Sequence, residues 1–121
     1  MSNVSFVIVY VDDVARSEAF YASILGRPAI ESSATFAMLP AAPGLMLGLW
    51  RHDGVKPPAS AAGGGEIAFP VGNPADVDAT FAEWRGRGVK MALPPTQMDF
   101  GYSFVALDPD GQRLRVFAPA G

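Results

Sequence analysis

The predicted strands and helices occur in the same order twice along the chain, and this repetition restricts the fold more than any other feature. The β-branched and aromatic segment 4–11 predicts a buried strand, and a helix follows it to about Leu25. A second apolar segment, 66–71, is again followed by a helix, which begins at Asn73 and Pro74. Three strand candidates follow each helix, so the chain is predicted as βαβββ, a linker and βαβββ. An internal duplication of this kind constrains the whole chain.

Turn and helix-stop signals set the expected boundaries of the two halves. Gly26 and Pro28 end the first helix, and the prolines and glycines of 51–65 mark a linker. The later strand candidates are 28–32, 35–39 and 45–50 in the first half, and 89–93, 102–107 and 112–118 in the second. We therefore expect one domain over 1–121 of class α+β, with module one at about 3–50, the linker at 51–65 and module two at about 66–118.

Composition excludes several classes of function. The chain has 121 residues, half of them hydrophobic, and its net charge of −3 gives no field that would attract nucleic acid or anionic lipid. It has no cysteine, which excludes disulfides, thiolate zinc sites and cysteine nucleophiles, and its one histidine excludes a histidine-rich metal site within one chain. No apolar run approaches the ~18 residues of a membrane helix, and no signal peptide is visible, so we expect a cytoplasmic protein with neither nucleic acid nor membrane as partner.

Strand alternation sorts the side chains into two faces. One face is entirely apolar and is expected to pack on the helices: Val7, Val9, Val11, Leu45, Leu47, Leu49, Ile67, Phe69, Val71, Leu114 and Val116. The other face mixes aromatic, small and charged residues: Phe6, Ile8, Tyr10, Met46, Gly48, Trp50, Glu66, Ala68, Pro70, Arg113, Arg115 and Phe117. Aromatic residues with a few polar groups are typical of a small-molecule cavity. The alternative is that these aromatics pack against a partner subunit or a neighbouring strand.

Four short motifs resemble those of the vicinal oxygen chelate superfamily, which comprises glyoxalase I, bleomycin-resistance proteins and extradiol dioxygenases. They are YVDD at 10–13, SEAFY at 17–21, LG at 25–26 and DPDGQRL at 108–114. The resemblance spans essentially the whole chain. It implies tandem βαβββ modules that form a curled mixed sheet around a cavity, with helices on the outer face, and a homodimer.

In the metal-dependent members of that superfamily, His, Gln or Glu side chains from four strands hold a divalent ion. The resemblance places Phe6, Gly48, Glu66 and Arg115 at these four positions. Phenylalanine and glycine have no side-chain lone pair to donate, and a guanidinium repels a divalent cation. We therefore expect no metal and no other cofactor.

Individual polar residues leave alternatives open. Glu66 has three candidate roles: a general base, a lone metal ligand, or one half of a buried ion pair with Arg115. The ion pair is favoured because a buried acid needs a partner. Arg115 is instead solvated if its strand lies at the rim of the sheet. His52 is expected on the surface, Asp12 and Asp13 are expected to cap the first helix, and the glycines at 63–65 fit a linker better than a phosphate loop.

The function predicted from the sequence is metal-free binding of a small apolar or aromatic molecule, as in sequestration-type resistance proteins. The expected ligand-binding residues are Phe6, Ile8, Met46, Trp50, Glu66, Tyr102, Phe104 and Arg115. No catalytic residue is assigned, and Glu66 is the candidate if there is one. One alternative is a metal-dependent lyase, isomerase or dioxygenase of the same superfamily that uses Glu66. Another is a non-catalytic interaction domain whose own side chains fill the cavity.

Overall fold

The repeated βαβββ order is present in the computed structural model, which describes residues 4–56, 58–59 and 65–120. The first module contains β1 (Phe6–Val11), α1 (Val14–Leu25), β2 (Glu31–Ser32), β3 (Phe36–Ala42) and β4 (Leu45–Arg51), followed by a 3-10 turn (His52–Gly54). The second contains β5 (Glu66–Pro70), α2 (Pro74–Gly86), β6 (Lys90–Met98), β7 (Gly101–Leu107) and β8 (Arg113–Pro119).

Each module forms a four-stranded mixed sheet with the same strand order. The orders are β1-β4-β3-β2 and β5-β8-β7-β6, and in each sheet the first strand pairs in parallel with the last strand of its module. The remaining pairs are antiparallel. The α+β class and the tandem modules are therefore confirmed, with the strands distributed over two sheets. The predicted cavity stays a prediction.

Both helices begin at the capping residues that the sequence indicates. The Asp13 side chain accepts a hydrogen bond from the Arg16 backbone N–H at 3.1 Å, and the Asn73 side chain accepts one from the Asp76 N–H at 2.9 Å. Gly26 ends α1 with a φ of 71°, a left-handed conformation that glycine adopts without strain. These local signals position each helix directly after the first strand of its module.

Each helix buries one face of its own sheet. In the first module the core is formed by Val11, Val14, Tyr21, Ala37, Leu39, Leu47 and Leu49; in the second it is formed by Val77, Trp84, Phe104, Ala106, Leu114, Val116 and Ala118. Val7 was expected in this core but is 38% exposed, because it lies on the edge strand β1 and α1 packs mainly on β3 and β4. The opposite face of each sheet carries no helix of its own module, and we call it the open face.

The strand β6 is longer than predicted and runs through two prolines. It extends over Lys90–Met98, whereas the sequence predicted a strand over 89–93, and it includes Pro94 and Pro95. Proline cannot donate a ladder hydrogen bond, so it is tolerated on edge strands and at bulges. β6 is an edge strand of its sheet, and its pairing with β7 shifts register on both sides of Leu93.

The chain divides into two compact units, Met1–Ala62 and Gly63–Gly121. The boundary falls within the predicted linker, of which residues 57 and 60–64 lie outside the described part of the chain. Neither described helix, of 12 and 13 residues, has the length and apolar character to span a membrane.

Candidate functional site

The open face of the first sheet is a cluster of large apolar side chains. Residues that pair in register lie on the same side of a sheet, and the pairs here are Phe6 with Met46, Ile8 with Gly48, Tyr10 with Trp50 and Phe36 with Trp50. We call this surface the aromatic face. Four predicted ligand residues therefore share one side of module one: Phe6, Ile8, Met46 and Trp50.

Gly48 allows two phenylalanine rings to lie against the sheet at the middle of the aromatic face. A Cβ atom at Gly48 would lie 2.7 Å from Cε1 of Phe6 and 2.9 Å from Cζ of Phe36. The two ring centroids are 6.3 Å apart. Phe36 was not predicted as a site residue, although it lies two positions before Met38 in a strand candidate and so alternates onto the same face.

Glu66 and Arg115 form an ion pair on the open face of the second sheet. The Nε atom of Arg115 donates to Oε1 of Glu66 at 2.6 Å, and Nη2 donates to Oε2 at 3.4 Å. The side chains are 16% exposed for Arg115 and 31% for Glu66. The predicted contact between the two side chains is confirmed, but the pair is only partly buried, since the Glu66 side chain keeps 31% of its surface exposed. The alternative of a solvated Arg115 at the rim is wrong, because β8 is an inner strand between β5 and β7.

Three further side chains hold the guanidinium of Arg115. Its Nη1 donates to the Ser103 hydroxyl at 2.9 Å and lies 3.7 Å from the sulfur of Met98, and its carbon is 5.5 Å from the centroid of the Phe100 ring. Ser103 is fully buried. We call these residues with Glu66 the arginine cluster. Its charge-assisted hydrogen bonds fix the orientation of Arg115.

Tyr102 and Phe104, two of the predicted ligand residues, lie on the helix-covered side of the second sheet. The Tyr102 hydroxyl donates to Oδ1 of Asp78 on α2 at 2.7 Å, and this hydrogen bond raises the pKa of Tyr102. Phe104 is fully buried and makes edge contacts with Phe81 and Trp84 at centroid distances of 5.3 and 5.5 Å. The structure therefore does not bring Tyr102 and Phe104 together with the other predicted ligand residues of the second sheet, Glu66 and Arg115.

The register of β7 explains where Tyr102 and Phe104 lie. Ser103 pairs with Phe117 and Val105 pairs with Arg115, so the odd-numbered residues of β7 share the open face with the arginines. Alternation then directs Tyr102 and Phe104 to α2.

His52 is exposed, as predicted, and has an acidic partner. Its Nε2 atom lies 2.9 Å from Oδ1 of Asp12, and both side chains are more than half exposed. The neighbouring pair of Arg51 and Asp53 is also exposed. The Arg51 guanidinium, through its hydrogen bond, holds the pKa of Asp53 below its usual value. These surface pairs belong to the first unit, and the arginine cluster belongs to the second.

The paired βαβββ modules and their open faces can be compared with known proteins. The model of the Glyoxalase/Bleomycin resistance protein/Dioxygenase superfamily matches residues 3–116. The chain belongs to this superfamily.

Individual members of the superfamily differ in their similarity to this chain. Phenazine antibiotic resistance protein EhpR of Enterobacter agglomerans is 29% identical over 112 residues, which is 90% of this chain and 86% of that protein. Protein ATC0852 of Agrobacterium tumefaciens, solved in solution by NMR, is 50% identical over the full length of both chains, with a TM-score of 0.91. Lactoylglutathione lyase of Agrobacterium tumefaciens is 20% identical with a TM-score of 0.79 over 98% of this chain and 94% of that one, which shows the shared fold alone.

The side chains at the metal-ligand positions implied by the superfamily resemblance do not fit a divalent cation. In the first unit the ring of Phe6 lies against Gly48, and neither residue offers a side-chain lone pair. In the second unit both oxygens of Glu66 already accept hydrogen bonds from Arg115, a cation that would repel a metal ion. Across 4–56, 58–59 and 65–120, no three His, Cys, Asp or Glu side chains form a group that could hold a metal ion. We derive no chemical step through a metal.

Proposed function

We propose that this superfamily member binds a small planar aromatic molecule without a metal ion and retains it by noncovalent contacts alone. The observation that carries the proposal is the aromatic face of the first sheet. Phe6, Ile8 and Tyr10 there are 39%, 44% and 42% exposed, and they lie on an edge strand of the sheet. Contiguous exposed apolar surface of this kind marks an interaction or ligand-binding site.

The geometry of the aromatic face suits a flat ligand. Gly48 adds no side chain between the neighbouring rings of Phe6 and Phe36, and Trp50 pairs in register with Phe36 beside them. An aromatic contact contributes about 0.5–1.5 kcal/mol beyond the burial of its area. Two or three such contacts contribute about 1–4.5 kcal/mol, and the buried apolar area of the ligand adds to this.

The similarity to EhpR supports the same class of ligand. That protein is named for resistance to a phenazine antibiotic, and phenazine is a planar three-ring aromatic. A protein that confers resistance by sequestration has to bind its ligand tightly and needs no catalytic group. The enzyme alternative would use Glu66 as base or metal ligand, but both oxygens of this carboxylate are engaged by Arg115.

Replacing Trp50 by alanine should weaken phenazine binding about tenfold or more, because it removes the largest stacking surface of the aromatic face. A tenfold loss corresponds to about 1.4 kcal/mol of binding free energy from stacking and buried area. Isothermal titration calorimetry with phenazine measures the effect. The matched control is Tyr102→Phe, which changes an aromatic residue on the helix-covered side and should leave the affinity unchanged. A wild-type protein that does not bind phenazine, or a Trp50→Ala variant that binds as well as wild type, would contradict the proposal.

We also propose that the protein is a homodimer. β1 is an edge strand of its sheet, and Val4, Val7 and Ile8 are 75%, 38% and 44% exposed. An apolar edge strand is stabilised when another chain covers it. Sedimentation equilibrium at micromolar concentration should give twice the chain mass of 12.7 kDa. A single species at the mass of one chain would refute the dimer.

A further inference from the structure

The open face of the second sheet places exposed apolar side chains beside the arginine cluster. Phe100 is 47% exposed, and the centroid of its ring lies 5.5 Å from the guanidinium carbon of Arg115 and 6.5 Å from the ring centroid of Phe117. On the neighbouring strand β5, Ala68 pairs in register with Arg115, and Pro70 pairs with Phe117. Ala68 and Pro70 are exposed and small. Aromatic rings and a polar group thus border open surface, a composition typical of a small-molecule site.

One N–H group of Arg115 is left to bind a ligand. A guanidinium carries five N–H donors. Nε and Nη2 each donate to Glu66, and Nη1 donates to the Ser103 hydroxyl and to the sulfur of Met98. Among the residues that the structure describes, the second N–H of Nη2 has no acceptor. The Arg115 side chain is 16% exposed, so it is not sealed from solvent.

Glu66 determines which charge a ligand at this donor can carry. Its carboxylate lies 2.6 Å from Nε of Arg115 and cancels the guanidinium charge at short range. A ligand carboxylate at Arg115 would therefore also meet the carboxylate of Glu66, and like charges at such distances repel. Arg113 lies two residues beyond Arg115 on β8, on the side away from Phe117, and it is exposed, so solvent and salt screen its charge.

We infer that the arginine cluster binds an uncharged aromatic amide or ketone, and that Glu66 makes it select such a molecule over an aromatic acid. The carbonyl oxygen of the ligand accepts the hydrogen bond from Nη2 of Arg115, and its ring lies against Phe100 and Phe117. The rest of the cluster holds the guanidinium in place, so the donor is oriented before the ligand arrives. All of these residues belong to the second unit, and the inference does not depend on the ligand of the aromatic face.

Titration with benzamide and benzoate, two probes of equal size, followed by NMR spectroscopy tests the inference. The Nε–H signal of Arg115 reports on the arginine cluster. Wild type should bind benzamide about fivefold or more tightly than benzoate at this signal, because only benzoate is repelled by Glu66. Glu66→Gln keeps a hydrogen-bond acceptor for Arg115 but removes the negative charge. It should reverse the order and bind benzoate about tenfold more tightly than wild type does.

Arg113→Gln is the matched control, since it removes an exposed arginine of the same strand and should keep the preference for benzamide. Benzoate bound by wild type as tightly as benzamide, or an unchanged order in Glu66→Gln, overturns the inference. An Arg115 signal that neither probe shifts would show that the cluster is not a binding site. Loss of the preference in Arg113→Gln would assign the selection to that residue and overturn the role of Glu66.

The same spectra test the proposed function separately. The Nε1–H signal of Trp50 reports on the aromatic face, and phenazine should shift it in wild type and in Glu66→Gln alike. A Trp50 signal that phenazine does not shift contradicts the proposed function and leaves the inference about the arginine cluster standing.

Discussion

Replacing Gly101 by alanine should lower the free energy of unfolding by about 3 kcal/mol or more. Gly101 has a φ of +145°, which side-chain-bearing residues rarely adopt. A Cβ atom there would lie 2.1 Å from the carbonyl oxygen of Ala118 and 2.9 Å from the backbone nitrogen of Ala120. Both contacts are with backbone, so no side-chain rotation can relieve them, and the end of the β7–β8 pairing must open. Urea denaturation followed by circular dichroism measures the loss.

Gly86→Ala provides the matched control for this prediction. Gly86 is the last residue of α2, and a Cβ atom there meets no atom within 4 Å. Alanine at that position should leave stability unchanged or raise it by up to about 1 kcal/mol. Wild-type stability of the Gly101→Ala variant would contradict the close backbone approach.

Truncating Arg115 to alanine should cost about 3 kcal/mol, the second large effect that we expect. The change leaves a half-buried Glu66 carboxylate without its partner, and breaking such a pair is strongly destabilising. It also removes the hydrogen bond to the buried Ser103 hydroxyl. Glu66→Ala should cost less, because Arg115 keeps its contacts with Ser103 and Phe100.

A double-mutant cycle isolates the energy of the pair. Glu66→Ala and Arg115→Ala should show a coupling energy of about 1–3 kcal/mol, measured by urea denaturation at low and high salt. The apolar double replacement Glu66→Leu with Arg115→Met should cost less than Arg115→Ala alone, because no charge is left unpaired. Strictly additive single effects would show that the two side chains do not stabilise the fold as a pair.

Much of the fold was predictable because its signals are local. The helix caps at Asp13 and Asn73 and the repeated order of elements depend on residues that are close together in the sequence. The ion pair of Glu66 and Arg115 was predictable for another reason. Alternation placed both residues on one face, and the family resemblance placed both at converging positions.

The missed features depend on contacts between distant parts of the chain. Tyr102 and Phe104 were predicted as ligand residues, because alternation within β7 does not say which alternate set of its side chains faces α2. Only the register with β8 decides that. Phe100 was not foreseen, since it lies in a turn, where the conformation of Gly101 directs the chain. No sequence pattern identified Ser103, because its role depends on the hydrogen bond that it accepts from Arg115.

Metal-independent binding of an aromatic molecule is most directly tested by titrating one preparation of the protein with phenazine in two states. Both samples are dialysed against a chelator. One is titrated in that state, and the other is supplied with nickel or zinc before the titration. Elemental analysis accompanies both. We predict the same dissociation constant in the two samples, with no stoichiometric metal retained after purification. Binding that appears only after metal is added, or about one tightly held ion per chain whose removal abolishes binding, would contradict the account.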